Sequence, residues 1–234
     1  SEIVSNVALI EVEAGANFVI DDLEAFANLG IEEIAGDGVI TVALSPEDAA
    51  ELIDSLDLGD GIVIEYAPMV DAPLTSTSNE DVDHHPVDLL AGATDLNDGD
   101  IVSVVEDSIT QAGGRDVVWS LEGGVLSIDP SQFDDLSAGL AEELIFDFMI
   151  TDDNGNMVAQ TLALTIEGRN DAPITNGDIS LDIHEDDSAL AIDLLDGTSD
   201  TDTADTLTVD GFTQTGGVEG GWTLDGTDLN IDPS

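Results

Sequence analysis

Cysteine is absent from this 234-residue chain, so neither a disulfide framework nor a thiolate metal site is available to it. Positive charge is nearly absent too. Arg115 and Arg169 stand against 53 Asp and Glu residues, giving a formal net charge of -51. That excludes a polyanionic partner such as nucleic acid, and it disfavours anionic membrane surfaces. Aromatic residues make up only 4%, too few for the stacking platforms of a sugar-cleaving cleft. No run approaches 18 apolar residues, so no transmembrane helix is expected. No Ser-His-Asp set, phosphate loop or metalloprotease motif is present, and 53 acids make paired carboxylates inevitable by chance. No enzymatic role is expected. A signal peptide is also missing and the chain starts at Ser1, which reads as a piece of something longer.

High net charge usually argues for disorder, but 42% of these residues are hydrophobic and they fall in strand-like runs such as Leu144-Ile145-Phe146-Asp147-Phe148-Met149-Ile150. The chain is therefore expected to fold against its own charge. Two carboxylates about 5 Å apart repel by roughly 3 kcal/mol at an effective dielectric near 20. Several such pairs would consume a stability of about 5–15 kcal/mol. Two arginines cannot offset that. A hard divalent cation can, and Ca²⁺ readily takes six to eight oxygen ligands, whereas Mg²⁺ holds its waters and demands octahedral geometry.

The sequence repeats itself. Asp71-Ala72-Pro73-Leu74 returns as Asp171-Ala172-Pro173-Ile174, and Asp88-Leu89-Leu90 as Asp193-Leu194-Leu195. Trp119 returns as Trp222, and Ile128-Asp129-Pro130-Ser131 as Ile231-Asp232-Pro233-Ser234. Offsets of 100 to 105 residues mean short loop insertions between fixed strands. One copy spans 71–170. The second starts at 171 and lacks counterparts of 142–150 and 157–167, so its edges are expected to be exposed. Strands are expected near 86–90, 101–105, 116–121, 124–128, 142–150 and 157–167. About seven strands at this spacing suggest an Ig-like Greek-key sandwich, with Trp119 and Trp222 in its cores. Residues 1–70 read instead as a small α+β module. Strands are expected near 7–12, 39–43 and 61–66, and helices near 21–28 and 46–57. Ser45-Pro46-Glu47-Asp48 is a strong helix start.

Asn170-Asp171-Ala172-Pro173, Asp95-Leu96-Asn97-Asp98-Gly99-Asp100, Trp119-Ser120-Leu121, Ile128-Asp129-Pro130-Ser131 and Thr151-Asp152-Asp153-Asn154-Gly155 together resemble the cadherin-like tandem repeats of RTX-type bacterial adhesins. The resemblance covers about 71–234, and the glycine-rich nonapeptides of RTX proteins are absent. It implies mostly β tandem Ig-like or cadherin-like sandwiches behind the α+β module, in a secreted adhesin at the bacterial cell surface, with Ca²⁺ stiffening the repeats. The partners implied are neighbouring modules of the same chain. The alternative is a calcium-dependent module that binds a polysaccharide, peptide or other surface ligand.

In such a sandwich one end would gather the incoming linker at Asp71, the loop with Asp95, Asn97, Asp98 and Asp100, and the loop with Asp152, Asp153 and Asn154. The other end would place Asp134 and Asp135 beside Asn170-Asp171, facing Asp200, Asp202 and Asp205 of the next copy, with Glu80 reaching the same junction by analogy with cadherins. Solvated loop acids remain the other reading of any one of these, since Asp and Asn favour turns for backbone reasons. His84, His85 and His184 are expected as exposed loop or edge residues, because adjacent histidines on a strand point to opposite faces.

Overall fold

The computed structural model describes residues 8–216 and 221–233, and its architecture is mostly β. Two compact units emerge. The first comprises residues 1–77, 84–129 and 142–165, and the second comprises 78–83, 130–141 and 166–234.

The first unit opens with β1 (Ala8–Val12), β2 (Asn17–Ile20), α1 (Leu23–Ala27), β3 (Ile31–Gly36), β4 (Val39–Val42), α2 (Pro46–Ser55), β5 (Asp57–Leu58) and β6 (Val63–Tyr66). Both expected helices form. Asp22 caps α1 by accepting from the Ala25 N–H at 2.9 Å, and Ser45 caps α2 by accepting from the Asp48 N–H at 3.2 Å. The strands pair only in parallel, in two sheets ordered β1-β3-β5 and β2-β4-β6. Each helix returns the chain for the next strand, which is what parallel pairing requires. Asn17 lies opposite Val39, and Val39 opposite Val63, so one coil of strand, turn, strand and helix takes 22 to 24 residues. This short repeat escaped the sequence reading. So did strands β2 and β3, because Ile31-Glu32-Glu33-Ile34 does not alternate. The coils stack tightly. A Cβ at Gly36 would sit 2.0 Å from the Val12 carbonyl oxygen, and one at Gly61 would sit 2.6 Å from that of Gly36. Only glycine permits this approach. Val12, Ile20, Phe26, Ile34, Ile40, Val42, Ala49 and Leu52 fill the interior.

The chain continues through β7 (Met69–Val70), β8 (Leu74–Asn79), β9 (His85–Asp88), β10 (Ala93–Thr94), β11 (Ser103–Val104), β12 (Thr110–Gly113), β13 (Trp119–Glu122), β14 (Val125–Ile128), β15 (Ala141–Thr151) and β16 (Met157–Glu167). One sheet runs β11-β15-β16-β8, with β12 also on β15, and another runs β13-β14-β9. Leu144, Phe146, Phe148 and Ile150 are buried at alternate positions of β15, the period-two pattern of a strand with one dry face. Trp119 meets Phe146 edge-on at 6.0 Å, which joins the two sheets through their side chains. β8 (Leu-Thr-Ser-Thr-Ser-Asn) ends next to Glu80, where the cadherin analogy puts the end of the repeat's first strand.

In the second unit β17 (Ile174–Thr175) pairs with β19 (Thr198–Ser199). β18 (Leu190–Asp193), β21 (Asp228–Ile231) and β20 (Trp222–Asp225) form a three-stranded sheet in that order. Among the described residues of the second repeat only Asp202 and Leu229 are buried. Trp222, the counterpart of Trp119, stacks edge-on against Phe212 at 4.7 Å and donates its indole N–H to Gln214 at 2.9 Å. Among the described residues no helix is long and apolar enough to cross a membrane.

Candidate metal centres

The same acidic turn is built twice. In the first unit the Asn97 N–H donates to Asp95 Oδ1 at 2.8 Å and the Asp100 N–H to the Asn97 carbonyl at 3.3 Å. In the second unit, 105 residues later, the Asp202 N–H donates to Asp200 Oδ1 at 3.1 Å and the Asp205 N–H to the Asp202 carbonyl at 3.2 Å. Asp is suited to this turn because its side chain accepts from the backbone two residues on. In both copies the middle residue then captures a backbone N–H of an approaching segment. Asn97 Oδ1 accepts from Tyr66 at 2.6 Å, and Asp202 Oδ2 accepts from Asp171 at 2.8 Å.

Around the first turn, the hairpin loop between β15 and β16 brings Asp152 alongside. Carboxylate oxygens of Asp95, Asp100 and Asp152 lie within 4.8 Å of one another. At that spacing each pair of charges repels by about 3 kcal/mol at an effective dielectric near 20. Glu65, at the end of β6, belongs to the same cluster. Burial pushes its carboxyl above the ordinary range, and Asp100, Asp152, Asp95 and Asp153 push it further. Asp95 is shifted the same way by burial, opposed by the Asn97 N–H and reinforced by Asp100 and Asp152. Amide groups bridge the acids: Asn154 Nδ2 donates to Asp100 at 2.8 Å and to Glu65 at 3.1 Å, while Asn156 donates its backbone and side-chain N–H groups to Asp152, each at 2.8 Å. Asp95 Oδ2 is buried and has no donor.

The second cluster lies wholly within the second unit. Glu80 follows β8 and is 2% exposed; its Oε1 accepts from the Arg169 N–H. Burial raises its pKa against that hydrogen bond, and Asp171, Asp202 and Asp134 raise it further. Asp202 is likewise 2% exposed. Thr203 donates its N–H to the Asp135 carbonyl at 3.2 Å, and Ala204 donates to Ser137 Oγ at 3.0 Å, which holds the turn in place. Glu80 Oε2 and Asp202 Oδ1 are both buried without a hydrogen-bond partner. Buried carboxylate oxygens without donors are costly and call for a counter-charge. The chain's cations are engaged elsewhere. Arg115 clasps Glu142 through its Nε at 2.6 Å and its backbone N–H at 2.8 Å, and the exposed Arg169 guanidinium lies 3.9 Å from Glu167.

Of the expected ligands, the structure thus brings Asp95, Asp100 and Asp152 into one cluster, with Asp153 and Asn154 exposed at its rim, and Glu80, Asp171 and Asp202 into the other, with Asp134 close enough to act on Glu80. Asp200 supports the Asp202 turn from its side chain. Asn97 turns its side chain to the backbone at Ile64 and Tyr66 rather than toward the acids. Asp71, Asp98, Asn170 and Asp205 are exposed. Glu65 was missed: in Val63-Ile64-Glu65-Tyr66 it reads as an ordinary outward-facing acid on a strand. His84 and His184 are exposed as expected, but His85 is half-buried on β9 and shares a 2.8 Å hydrogen bond with Ser76 Oγ. Burial, then His84, lowers its pKa.

The donor sets are hard oxygens throughout, which suits a hard cation and not a soft metal. A pH effect follows for the ion-free protein. A carboxyl whose pKa is raised by folding binds its proton more tightly in the folded state, so its contribution is present at low pH and is lost as pH rises through the raised value. Glu65, Glu80 and Asp95 all act in this sense. Chelated protein is therefore expected to melt higher at about pH 5 than at about pH 7.5, and a divalent cation held by these oxygens would shrink or reverse the difference, because it would compete with protons for them. Calorimetry across this range in chelator would refute the assignment if the melting temperature were flat.

No protein-family model matches the chain, and no curated protein matches it.

Proposed function

We propose that this chain is an extender segment of a secreted bacterial adhesin: tandem Ig-like or cadherin-like β-sandwich repeats behind a small module of parallel strands and two helices, stiffened by Ca²⁺ at the two acidic turns. The observation that carries this reading is the duplicated turn, each copy set among close carboxylates and each cluster holding buried carboxylate oxygens that no donor satisfies. The role is mechanical and not catalytic. Each turn takes hold of a backbone N–H at the entry to its repeat, from Tyr66 before the first and from Asp171 at the start of the second, so an ion bound there would fix the incoming chain to the loop. Extracellular calcium is millimolar, and surface modules commonly bind it with Kd values of about 10⁻⁴–10⁻³ M, so such sites would stay loaded outside the cell.

The test is small-angle scattering of the chain with chelator and with millimolar Ca²⁺, paired with a glycan array in Ca²⁺. An extender gives a narrower, longer distance distribution with calcium and no glycan binding. An unchanged profile, or calcium-dependent capture of a polysaccharide, would replace this reading.

A further inference from the structure

The two turns differ at one decisive position. Residue 97 is asparagine and its counterpart 202 is aspartate. Asn97 both accepts and donates: Oδ1 takes the Tyr66 N–H at 2.6 Å and Nδ2 gives to the Ile64 carbonyl at 3.3 Å. A neutral amide thereby closes on the incoming strand from both sides and adds no charge of its own. Asp202 can only accept. Its Oδ2 takes the Asp171 N–H at 2.8 Å, but Oδ1 has no partner inside a residue that is 2% exposed, and Glu80 Oε2 is in the same position close by. The acids around the two turns differ in degree: Asp95 Oδ2 also lacks a donor, but Asp95 is only half-buried, whereas Glu80 and Asp202 are each 2% exposed. Asn154 and Asn156 supply N–H donors to Asp100, Glu65 and Asp152. Around Asp202 and Glu80 two buried anionic oxygens lack any donor at all.

We propose that the Asn97 turn is a permanent latch that holds without a cation, whereas the Asp202 turn is a calcium-dependent latch that opens when the ion is removed. This rests on the calcium reading above and adds to it a division of labour. Opening would release the Asp171 N–H from Asp202, the Thr203 N–H from Asp135 and the Ala204 N–H from Ser137, all within the second unit. It would leave the Tyr66, Asn97 and Asn156 N–H groups bound within the first.

Amide hydrogen exchange on the full chain tests this, with Ca²⁺ alone as the probe and chelator as the reference. Removing calcium is expected to speed exchange at Asp171, Thr203 and Ala204 by about tenfold or more, while Tyr66, Asn97 and Asn156 change by less than about twofold. Two reciprocal substitutions follow the cause. Asp202→Asn should make protection at Asp171 largely independent of calcium, and Asn97→Asp should make protection at Tyr66 depend on it. Equal responses at the two turns, or a larger response at Asn97, would overturn the division of labour while leaving the calcium reading intact. No response at either turn would overturn both. If Asp202→Asn unfolds the second unit, the Asn97→Asp arm still decides, since calcium-independent protection at Tyr66 in that variant would refute the role of the amide.

Discussion

On adding millimolar Ca²⁺ to the chelated chain, the melting temperature is expected to rise by about 6–12 °C. An ion present at about ten times its Kd stabilises the folded state by about 1.4 kcal/mol, and two such sites by about 3 kcal/mol. For a chain of this size each kcal/mol shifts the melting temperature by about 2–4 °C. The source of the gain is specific. Carboxylate oxygens of Asp95, Asp100 and Asp152 lie within 4.8 Å of one another, and Glu80 Oε2 and Asp202 Oδ1 are buried without donors. Both arrangements cost free energy until a cation lies among them. Glu80→Gln is expected to remove a large part of the calcium-dependent rise, since it takes away a charge while keeping the shape. Differential scanning calorimetry decides the matter, and a melting curve indifferent to both calcium and chelator would leave the acids as a solvated surface.

Phe146→Ala should destabilise the first unit by about 3–5 kcal/mol, and by the same amount with or without calcium. Phe146 is fully buried on β15 and meets Trp119 of β13 edge-on at 6.0 Å, so truncation opens a cavity between two sheets and removes an aromatic pair. The contrast with Glu80→Gln separates the two sources of stability in the molecule. Urea unfolding in calcium and in chelator measures it. A loss below about 1 kcal/mol would mean that the sheets do not depend on this contact.

Much of the candidate site was legible because its chemistry is local. Asp-x-Asn-x-x-Asp and Asp-x-Asp-x-x-Asp specify a turn through side-chain hydrogen bonds spanning two residues, and both turns form. The alternation of Leu144, Phe146, Phe148 and Ile150 likewise marks a strand with one buried face wherever it occurs. Glu65 carried no such mark, for its part in the cluster comes from loops some 30 and 87 residues further along the chain, at Asp95 and Asp152. The parallel coils did leave a trace that went unread: Gly36-Asp37-Gly38 recurs as Gly59-Asp60-Gly61, and the backbone contacts at Gly36 and Gly61 are what demand it.

The charge imbalance, the hundred-residue repeat, the two helices and the acidic turns are legible without any three-dimensional information, because each depends on composition, on recurrence along the chain or on neighbours a few residues apart. Long-range contacts set the rest: the strands within residues 8–66 pair in parallel, Glu65 joins one cluster while Asp71 and Asp98 stay outside, and Glu80 and Asp202 are buried. Strand direction and burial depend on which distant segments meet. The same carboxylate is a solvated loop acid on an open turn and an uncompensated charge beneath a closed one.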